Sequence, residues 1–178
     1  MNTQPLTQSE IEIWNNLVKA CCNKPDEFKV MLSVCSPNIL NTKHNDITLL
    51  SYACQHQSES VKYLLECDKF LIETINVKNN NGSTALHWAC GFQSDAVKYL
   101  LESDKFLIES VNAKNNYGHT ALYWACQYQP NAVKYLLESD KFSIDTINIK
   151  TINGKTALHV ACQYQPNAVK YLLESDKL

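Results

Sequence analysis

Apolar residues recur along the chain in two short blocks that return with a constant step. The block Thr-Ala-Leu-His-Trp-Ala-Cys at 84–90 returns with few changes at 120–126 and 156–162, and a more distant copy stands at 48–54. The block Val-Lys-Tyr-Leu-Leu-Glu begins at Val61 and again at 97, 133 and 169, so the period is 36 residues. Diverged copies of both blocks lie 33 residues further upstream, at Ala20 and Phe28. Such a period is typical of stacked supersecondary units that cannot bury their apolar faces alone.

Each unit predicts two helices. In the first block Leu86, Ala89 and Cys90 fall at helical spacing on one face, behind Thr84, a residue type that caps helices. In the second block valine and two leucines form an apolar stripe. Proline precedes this stripe in three of the five copies, where its fixed φ suits the first turn of a helix. The pattern therefore predicts five helix pairs.

The segments between the units predict turns. Three of the four glycines, Gly82, Gly118 and Gly154, occupy one repeat position, and Asp46 takes that position in the most distant copy. Glycine adopts positive φ at little cost, and aspartate tolerates it better than most residues. We therefore expect a left-handed turn at this position, within an asparagine-rich arm that precedes each first helix.

These residues resemble a known repeat family. The string Gly-Ser-Thr-Ala-Leu-His-Trp-Ala at 82–89 is similar to the Gly-x-Thr-Pro-Leu-His-x-Ala signature of ankyrin repeats, and residues 118–122 carry the same pattern. The resemblance extends from about residue 10 to the end and implies an all-α, ankyrin-like solenoid of stacked helix-turn-helix repeats. We expect a single domain, 1–178, divided into a divergent amino-terminal capping repeat at 1–43, full repeats at 44–79, 80–115 and 116–151, and a final repeat at 152–178.

The chain departs from the family pattern in three ways. Alanine replaces the signature proline, a mild change because alanine is the best helix former. Glutamine stands near the place of the glycine expected after the first helix. An insert of about four residues follows the second helix, and we expect it to lengthen that helix or to fold its apolar residues back under it. The apolar residues of the inserts are Phe70, Leu71, Ile72, Phe106, Leu107, Ile108, Phe142 and Ile144.

Charge and composition exclude several classes of function. The chain has 16 basic residues, all lysine, and 18 acidic residues, for a formal net charge of −2. It therefore lacks both an overall cationic field and the guanidinium group that reads bases, and we expect no nucleic-acid partner. The longest apolar stretch is six residues, far short of the ~18 that span a membrane, so we expect no membrane partner. Eight cysteines without a visible secretory signal predict a reducing intracellular compartment, the cytoplasm, with the cytosol of a host cell as the alternative.

Two histidine–cysteine pairs offer the only metal-like spacing. His87 and Cys90 stand at i,i+3 on one helix, as do His159 and Cys162. Other copies lack the histidine, and the resemblance implies that it joins the hydrogen bonds at the helix start. We therefore expect no metal and no cofactor. No nucleophile elbow, phosphate-cradling glycine loop or zinc-protease motif occurs, so we also expect no enzyme.

The remaining residues of the first block are interpreted as core. The cysteines at 54, 90, 126 and 162 fit a packing position for small residues, since a buried thiol behaves as a small hydrophobe. Trp88 and Trp124 stand beside this position. They could form a base-stacking ladder, but their place next to the alanine–cysteine pair favours the core.

Aromatic residues just past each alanine–cysteine pair predict a binding surface. The resemblance implies that partner contacts lie on the concave face, at this end of the first helix and at the arm tips. Aromatic side chains with short polar neighbours are typical of binding surfaces. We therefore expect a non-catalytic scaffold that binds a partner protein through Gln55, His56, Asn80, Asn81, Phe92, Asn116, Tyr117, His119, Gln127, Tyr128, Asn153, Lys155, Gln163 and Tyr164.

A second interpretation stays open. Residues 125–141 and 161–177 are the same seventeen residues, so recent tandem copying alone would also keep these aromatics. The chain ends at Leu178, directly after a second helix, without the polar-faced closing unit that solenoids need. The alternative is a structural spacer or a self-associating segment of a longer array, with end-to-end contacts through the uncapped last repeat.

Overall fold

The computed structural model describes residues 5–106 and 108–175, which form thirteen α-helices, one 3₁₀ turn and no β-strand. The all-α fold class is therefore confirmed. The 3₁₀ turn is Ile144–Thr146. The helices are α1 (Gln8–Asn23), α2 (Pro25–Val34), α3 (Pro37–Asn41), α4 (Leu49–His56), α5 (Ser58–Glu66), α6 (Ile72–Ile75), α7 (Ala85–Phe92), α8 (Ser94–Glu102), α9 (Ile108–Val111), α10 (Ala121–Tyr128), α11 (Pro130–Glu138), α12 (Ala157–Tyr164) and α13 (Pro166–Leu173). None of these helices is long and apolar enough to span a membrane.

The five helix pairs stack in chain order in two layers. Helices α1, α4, α7, α10 and α12 form the inner layer, in which each helix packs on the next, and α2, α5, α8, α11 and α13 form the outer layer in the same way. Leu50, Leu86 and Leu122 occupy one position of the inner helices and are fully buried between neighbouring units. Trp14 and Leu17 are buried on the inward face of α1. Each buried leucine contributes about 1.5–3 kcal/mol, and most of it depends on the neighbouring unit.

Threonine begins each of the four later inner helices. The Thr48 and Thr120 hydroxyls accept the backbone N–H three residues on, which has no partner within the helix. At Thr84 and Thr156 the cap is reciprocal, because the backbone N–H of the threonine also donates to the histidine three residues later. The sequence pattern Thr-x-x-His therefore marks the start of a helix.

Glutamine, in place of the family's glycine, ends each of the four later inner helices with negative φ. The backbone at these positions has φ between −153° and −137°, so no left-handed residue is needed. Gln93, Gln129 and Gln165 each donate from Nε2 to a backbone oxygen of the preceding inner helix, at 3.4–3.5 Å. The departure from the family pattern thus supplies a bond between units.

The insert does not lengthen the outer helix, so that part of the expectation is wrong. A turn follows α5, α8 and α11, because the phenylalanine N–H bonds back three residues, and a short helix or the 3₁₀ turn comes next. Phe70, Phe106 and Phe142 fold into the core as predicted. The aliphatic residues that follow do not, since the short helix directs its later residues inward instead. Leu71, Ile72, Ile108 and Ile144 are 43–57% exposed, and Leu107 lies outside the described residues.

The insert also ties each unit to the one before it. Lys69, Lys105 and Lys141 donate from Nζ to backbone oxygens just past the end of the preceding outer helix, at 2.7–3.1 Å. A cation at this end of a helix satisfies carbonyls that have no partner within the helix. Four extra residues per unit therefore supply a buried ring and an inter-unit hydrogen bond.

A second tie joins asparagine to a hydroxyl of the next unit. The Asn41 amide oxygen accepts from the Thr74 hydroxyl at 2.9 Å, and the Asn112 amide oxygen accepts from the Thr146 hydroxyl. Asn76 and Ser110 are the equivalent pair at the unit boundary that lies between these two pairs. Both the Asn76 amide oxygen and the Ser110 hydroxyl are buried without a hydrogen-bond partner.

Candidate partner-binding surface

The arm turns have the left-handed backbone that the glycine pattern predicts. Gly82, Gly118 and Gly154 have φ of 74–75°, and Asp46 has φ of 67°. A Cβ at Gly82 would lie 2.5 Å from the Asn116 amide oxygen and 2.9 Å from its backbone nitrogen. Glycine is therefore required there twice, by its own backbone and by the close approach of the next arm.

Neighbouring arms are hydrogen-bonded to each other. Asn116 donates from its backbone N–H to the Asn81 carbonyl and from its side-chain amide to the Asn80 carbonyl, both at 2.9 Å. The Asn80 N–H in turn donates to the Asp46 carboxylate at 2.9 Å, and this bond lowers the pKa of Asp46. Three of the residues predicted to contact a partner thus hold the arms in a row, although Asn80, Asn81 and Asn116 remain exposed.

The helix-end aromatics form an exposed row. Trp88 lies beside Phe92, with ring centroids 5.9 Å apart, and Trp124 lies beside Tyr128 at 6.3 Å. The ring of Tyr52 likewise contacts the residue four positions on at 4.5 Å. These contacts restrict the outward-facing rings before any partner binds. The row, one residue per unit, consists of His56, Phe92, Tyr128 and Tyr164, of which the last three are 46–51% exposed.

The two tryptophans are half-buried, so the prediction that they belong to the core is only partly right. Trp88 and Trp124 pack edge to face, with ring centroids 5.7 Å apart, against the core on one side. Their other side lines the surface because no other described element covers the inner layer at this point. Gly91 makes room for this pair, since a Cβ there would lie 2.9 Å from the Trp124 ring. The tryptophans therefore support the exposed row from below.

A further aromatic cluster lies at the arm tip of the fourth unit. The His119 ring stacks on Tyr123, with centroids 4.2 Å apart and planes inclined by 17°, and lies 5.8 Å from the exposed Tyr117. Partial burial lowers the pKa of His119, so the ring is uncharged at neutral pH. The cluster extends the aromatic surface from the helix ends towards the arms.

The predicted contact residues thus fall into two rows. The arm row contains the tips named above with Asn153 and Lys155, which are exposed in the last unit. The helix-end row is flanked by the predicted glutamines. Gln55 and Gln127 are half-buried beside its aromatics, and Gln163 is exposed. An inner helix of eight residues, about 12 Å long, separates the two rows.

The histidine–cysteine spacing is structural. His87 is fully buried, accepts the Thr84 N–H on Nδ1 at 3.2 Å and donates from Nε2 to the His119 carbonyl at 3.0 Å. Burial lowers the pKa of His87 to about 4. Both ring nitrogens of the neutral side chain are therefore engaged. Within residues 5–106 and 108–175, no three His, Cys, Asp or Glu side chains are grouped so as to hold a metal ion.

The packing role of the cysteines holds for three of the four positions. Cys54, Cys90 and Cys126 are buried free thiols, and burial raises the pKa of Cys126 to about 12. Cys162 is exposed, so its predicted burial is wrong. The reason is that no described helix packs on that side of α12.

Sequence reasoning missed a row of lysines in the arms. Lys43, Lys78, Lys114 and Lys150 place one exposed ammonium group in each of the four arms that precede an inner helix. The Lys78 Nζ donates to the Lys114 carbonyl at 3.0 Å, and the Lys43 Nζ lies 3.4 Å from the Lys78 carbonyl. The signal was visible as a lysine once per period, in segments that contain almost no acidic residue.

Comparison with known protein families matches the chain to the family model described as "Ankyrin repeats (3 copies)", over residues 17–108 and 104–177. The matched ranges contain the four complete helix pairs from α4 to α13. Comparison with curated proteins found no match.

Proposed function

Because the chain belongs to the ankyrin repeat family, we propose that it is a non-catalytic scaffold that binds a partner protein through the concave face of its inner layer. Ankyrin repeats generally mediate protein–protein interaction, and the family is typically non-catalytic. The assignment of binding to the concave face rests on one observation, the row of half-exposed rings at Phe92, Tyr128 and Tyr164. The Phe92 and Tyr128 rings, already restricted by Trp88 and Trp124, add contact area at a low cost in conformational entropy.

The arm-to-arm hydrogen bonds support the same proposal. They hold the arm tips at a regular spacing, so a partner would not have to order this surface when it binds. The free thiols fit the reducing intracellular compartment that we propose for the protein.

The test begins with capture of partners on the immobilised chain and measurement of their affinity. We expect the triple variant Phe92→Ala, Tyr128→Ala, Tyr164→Ala to bind the captured partner at least 10-fold more weakly. The matched control is Ile72→Ala, Ile108→Ala, Ile144→Ala, which removes three equally exposed apolar side chains from the inserts. Unchanged affinity in the aromatic variant would refute the assigned surface.

End-to-end self-association is a second candidate, favoured by one observation. Leu158 and Leu173 in the last repeat are 37% and 64% exposed, whereas their counterparts Leu122 and Leu137 are buried by the next repeat. If this surface joins two copies, the mass measured by light scattering will rise with concentration, and Leu173→Glu will abolish the rise. A mass that stays monomeric at all concentrations rules this candidate out.

A further inference from the structure

Charge is divided unequally between the arm side of the molecule and the rest. Four segments, 42–57, 78–93, 114–129 and 150–165, contain an arm lysine and the inner helix that follows it, α4, α7, α10 or α12. Together they contain five lysines, all five histidines and a single acidic residue. The remaining sequence contains eleven lysines and seventeen acidic residues. A chain with a net charge of −2 thus has a surplus of four positive charges on these segments and six negative charges elsewhere.

The single acidic residue does not offset the lysine row. The Asp46 carboxylate lies 3.0 Å from the Lys43 Nζ and also accepts the Asn80 N–H. The inner helices α4, α7, α10 and α12 contain no lysine, aspartate or glutamate. Lys78, Lys114 and Lys150 are exposed, and the inner helices offer no carboxylate to pair with their ammonium groups.

We propose that the occupant of this face is an acidic segment of a partner protein that also carries apolar or aromatic side chains. This inference rests on the proposed function and adds the chemistry of the partner. The carboxylates would lie beside the arm lysines, and the apolar side chains would lie on the helix-end aromatic row. The row of arm lysines and the helix-end aromatic row run in parallel, with one residue of each per unit. A single segment that follows them would therefore meet both charges and rings in every unit.

The spacing of the units sets the length of the segment. Packed helices lie about 8–10 Å apart, so four units present a face roughly 30 Å long. An extended chain advances about 3.3 Å per residue. A segment of about ten residues therefore covers the face, with about three residues for each unit.

The same features favour a protein over a nucleic acid. Lysine provides point charges without the planar fork that clamps phosphates, and the chain contains no arginine. A nucleic-acid strand that extended beyond the arm side would come close to the negatively charged remainder of the surface. Physiological salt screens charges only beyond about 8 Å, so the phosphates would be repelled there. A short acidic segment fits within the positive strip.

The experiment selects peptides from a displayed library of random twelve-residue sequences on the immobilised full chain. We expect the selected peptides to be negatively charged and to contain aromatic or large aliphatic residues. The affinity of one labelled selected peptide is then measured for Lys78→Gln, Lys114→Gln, Lys150→Gln and for the matched control Lys98→Gln, Lys134→Gln, Lys170→Gln. Both variants lose three charges at one position per unit, but the control lysines lie on the outer helices.

The arm variant is expected to bind at least 10-fold more weakly, with a flatter dependence on salt, and the control to stay within twofold. Selected peptides that are neutral or basic, an arm variant with normal affinity, or no selected peptide at all overturns the inference. If the aromatic variant still loses binding of the captured partner, the scaffold function stands without it. If neither variant affects any binding, both proposals fail. Tighter binding of a fifteen-residue oligouridine than of the peptide would assign the face to nucleic acid and overturn the inference as well.

Discussion

The fourth and the last repeats contain the same seventeen residues but bury them differently. Leu137 is 6% exposed and its copy Leu173 is 64% exposed, while Cys126 is buried and Cys162 is not. The helices themselves are alike, since α10 and α12 have eight residues each and both follow a capping threonine. The difference teaches that sequence within a repeat specifies the helices, whereas the neighbouring repeat decides what they bury.

The two Thr-x-x-His caps lead to the same conclusion. His87 and His159 both accept a threonine N–H on Nδ1, at 3.2 and 3.3 Å. Only His87 has the next arm beside it, where its Nε2 donates to the His119 carbonyl, and only His87 is buried. Four predictions test this comparison, from the largest expected effect to the smallest.

Removal of the inner-helix leucine should have the largest effect. We expect Leu122→Ala to lower the free energy of unfolding by about 3–4 kcal/mol, because it leaves a cavity between two repeats. Leu158→Ala, at the same position in the last repeat, should cost under about 1 kcal/mol because its side chain is partly exposed. Urea unfolding followed by circular dichroism measures both values, and equal losses would contradict the stacking explanation.

The buried histidine should make stability depend on pH. The pKa of His87 is lowered from 6.5 to about 4 in the folded protein, so as the pH falls the unfolded chain binds this proton first. The contribution of His87 to the free energy of unfolding is complete above pH 6.5. It falls by about 3 kcal/mol as the pH decreases to about 4. His119, whose pKa is also lowered, acts in the same direction.

Urea unfolding between pH 7.5 and 5 measures this effect in the unmodified chain, in His87→Gln and in His159→Gln. The His87 variant should start less stable but show a flatter dependence on pH, whereas the His159 variant should keep the original slope. The assignment to His87 is wrong if its removal leaves the slope unchanged.

The arm glycines should differ although their φ angles agree. Gly82→Ala and Gly154→Ala both place a Cβ in the left-handed region, at a cost of about 1 kcal/mol. At Gly82 the Cβ also meets Asn116 of the next arm, whereas nothing lies within 4 Å at Gly154. We expect losses of about 2 and about 1 kcal/mol, measured by urea unfolding. A loss at Gly154 as large as at Gly82 would show that the neighbouring arm contributes nothing.

The smallest predicted effect is a gain in stability. The methyl group added by Ser110→Thr should restrict χ1 and favour the rotamer in which the hydroxyl faces the Asn76 amide oxygen, as in the Thr74 and Thr146 pairs, and so raise stability by about 1 kcal/mol. The melting temperature measures the gain. In the Asn76→Ala background the same change should give none, and a gain that persists there would refute the proposed pairing.

Much of the fold could be predicted because its signals are local. The Thr caps, the prolines that begin α2, α11 and α13, and the positive φ at Gly82 depend on a few adjacent residues. The inserts were predicted less well, since the phenylalanine and the following isoleucine are equally apolar. Only the turn after the outer helix decides that Phe106 packs inward and Ile108 outward.

The candidate surface follows the same division. The period placed Phe92 and Tyr128 at the same helix end, and the structure shows them exposed. It did not predict that Trp88 and Trp124 would support them from below, because that contact joins two repeats across Gly91. The arm lysines are visible in the sequence, but their arrangement as a row depends on bonds between arms.

The sequence by itself determined the number of repeats, the helices within them and the turns between them, because caps, apolar spacing and glycine act over a few residues. Only the tertiary structure decided which side of each helix and which histidine are buried, and which aromatics are left outside. Those outcomes depend on residues 32–38 positions away, which come into contact when one repeat packs on the next.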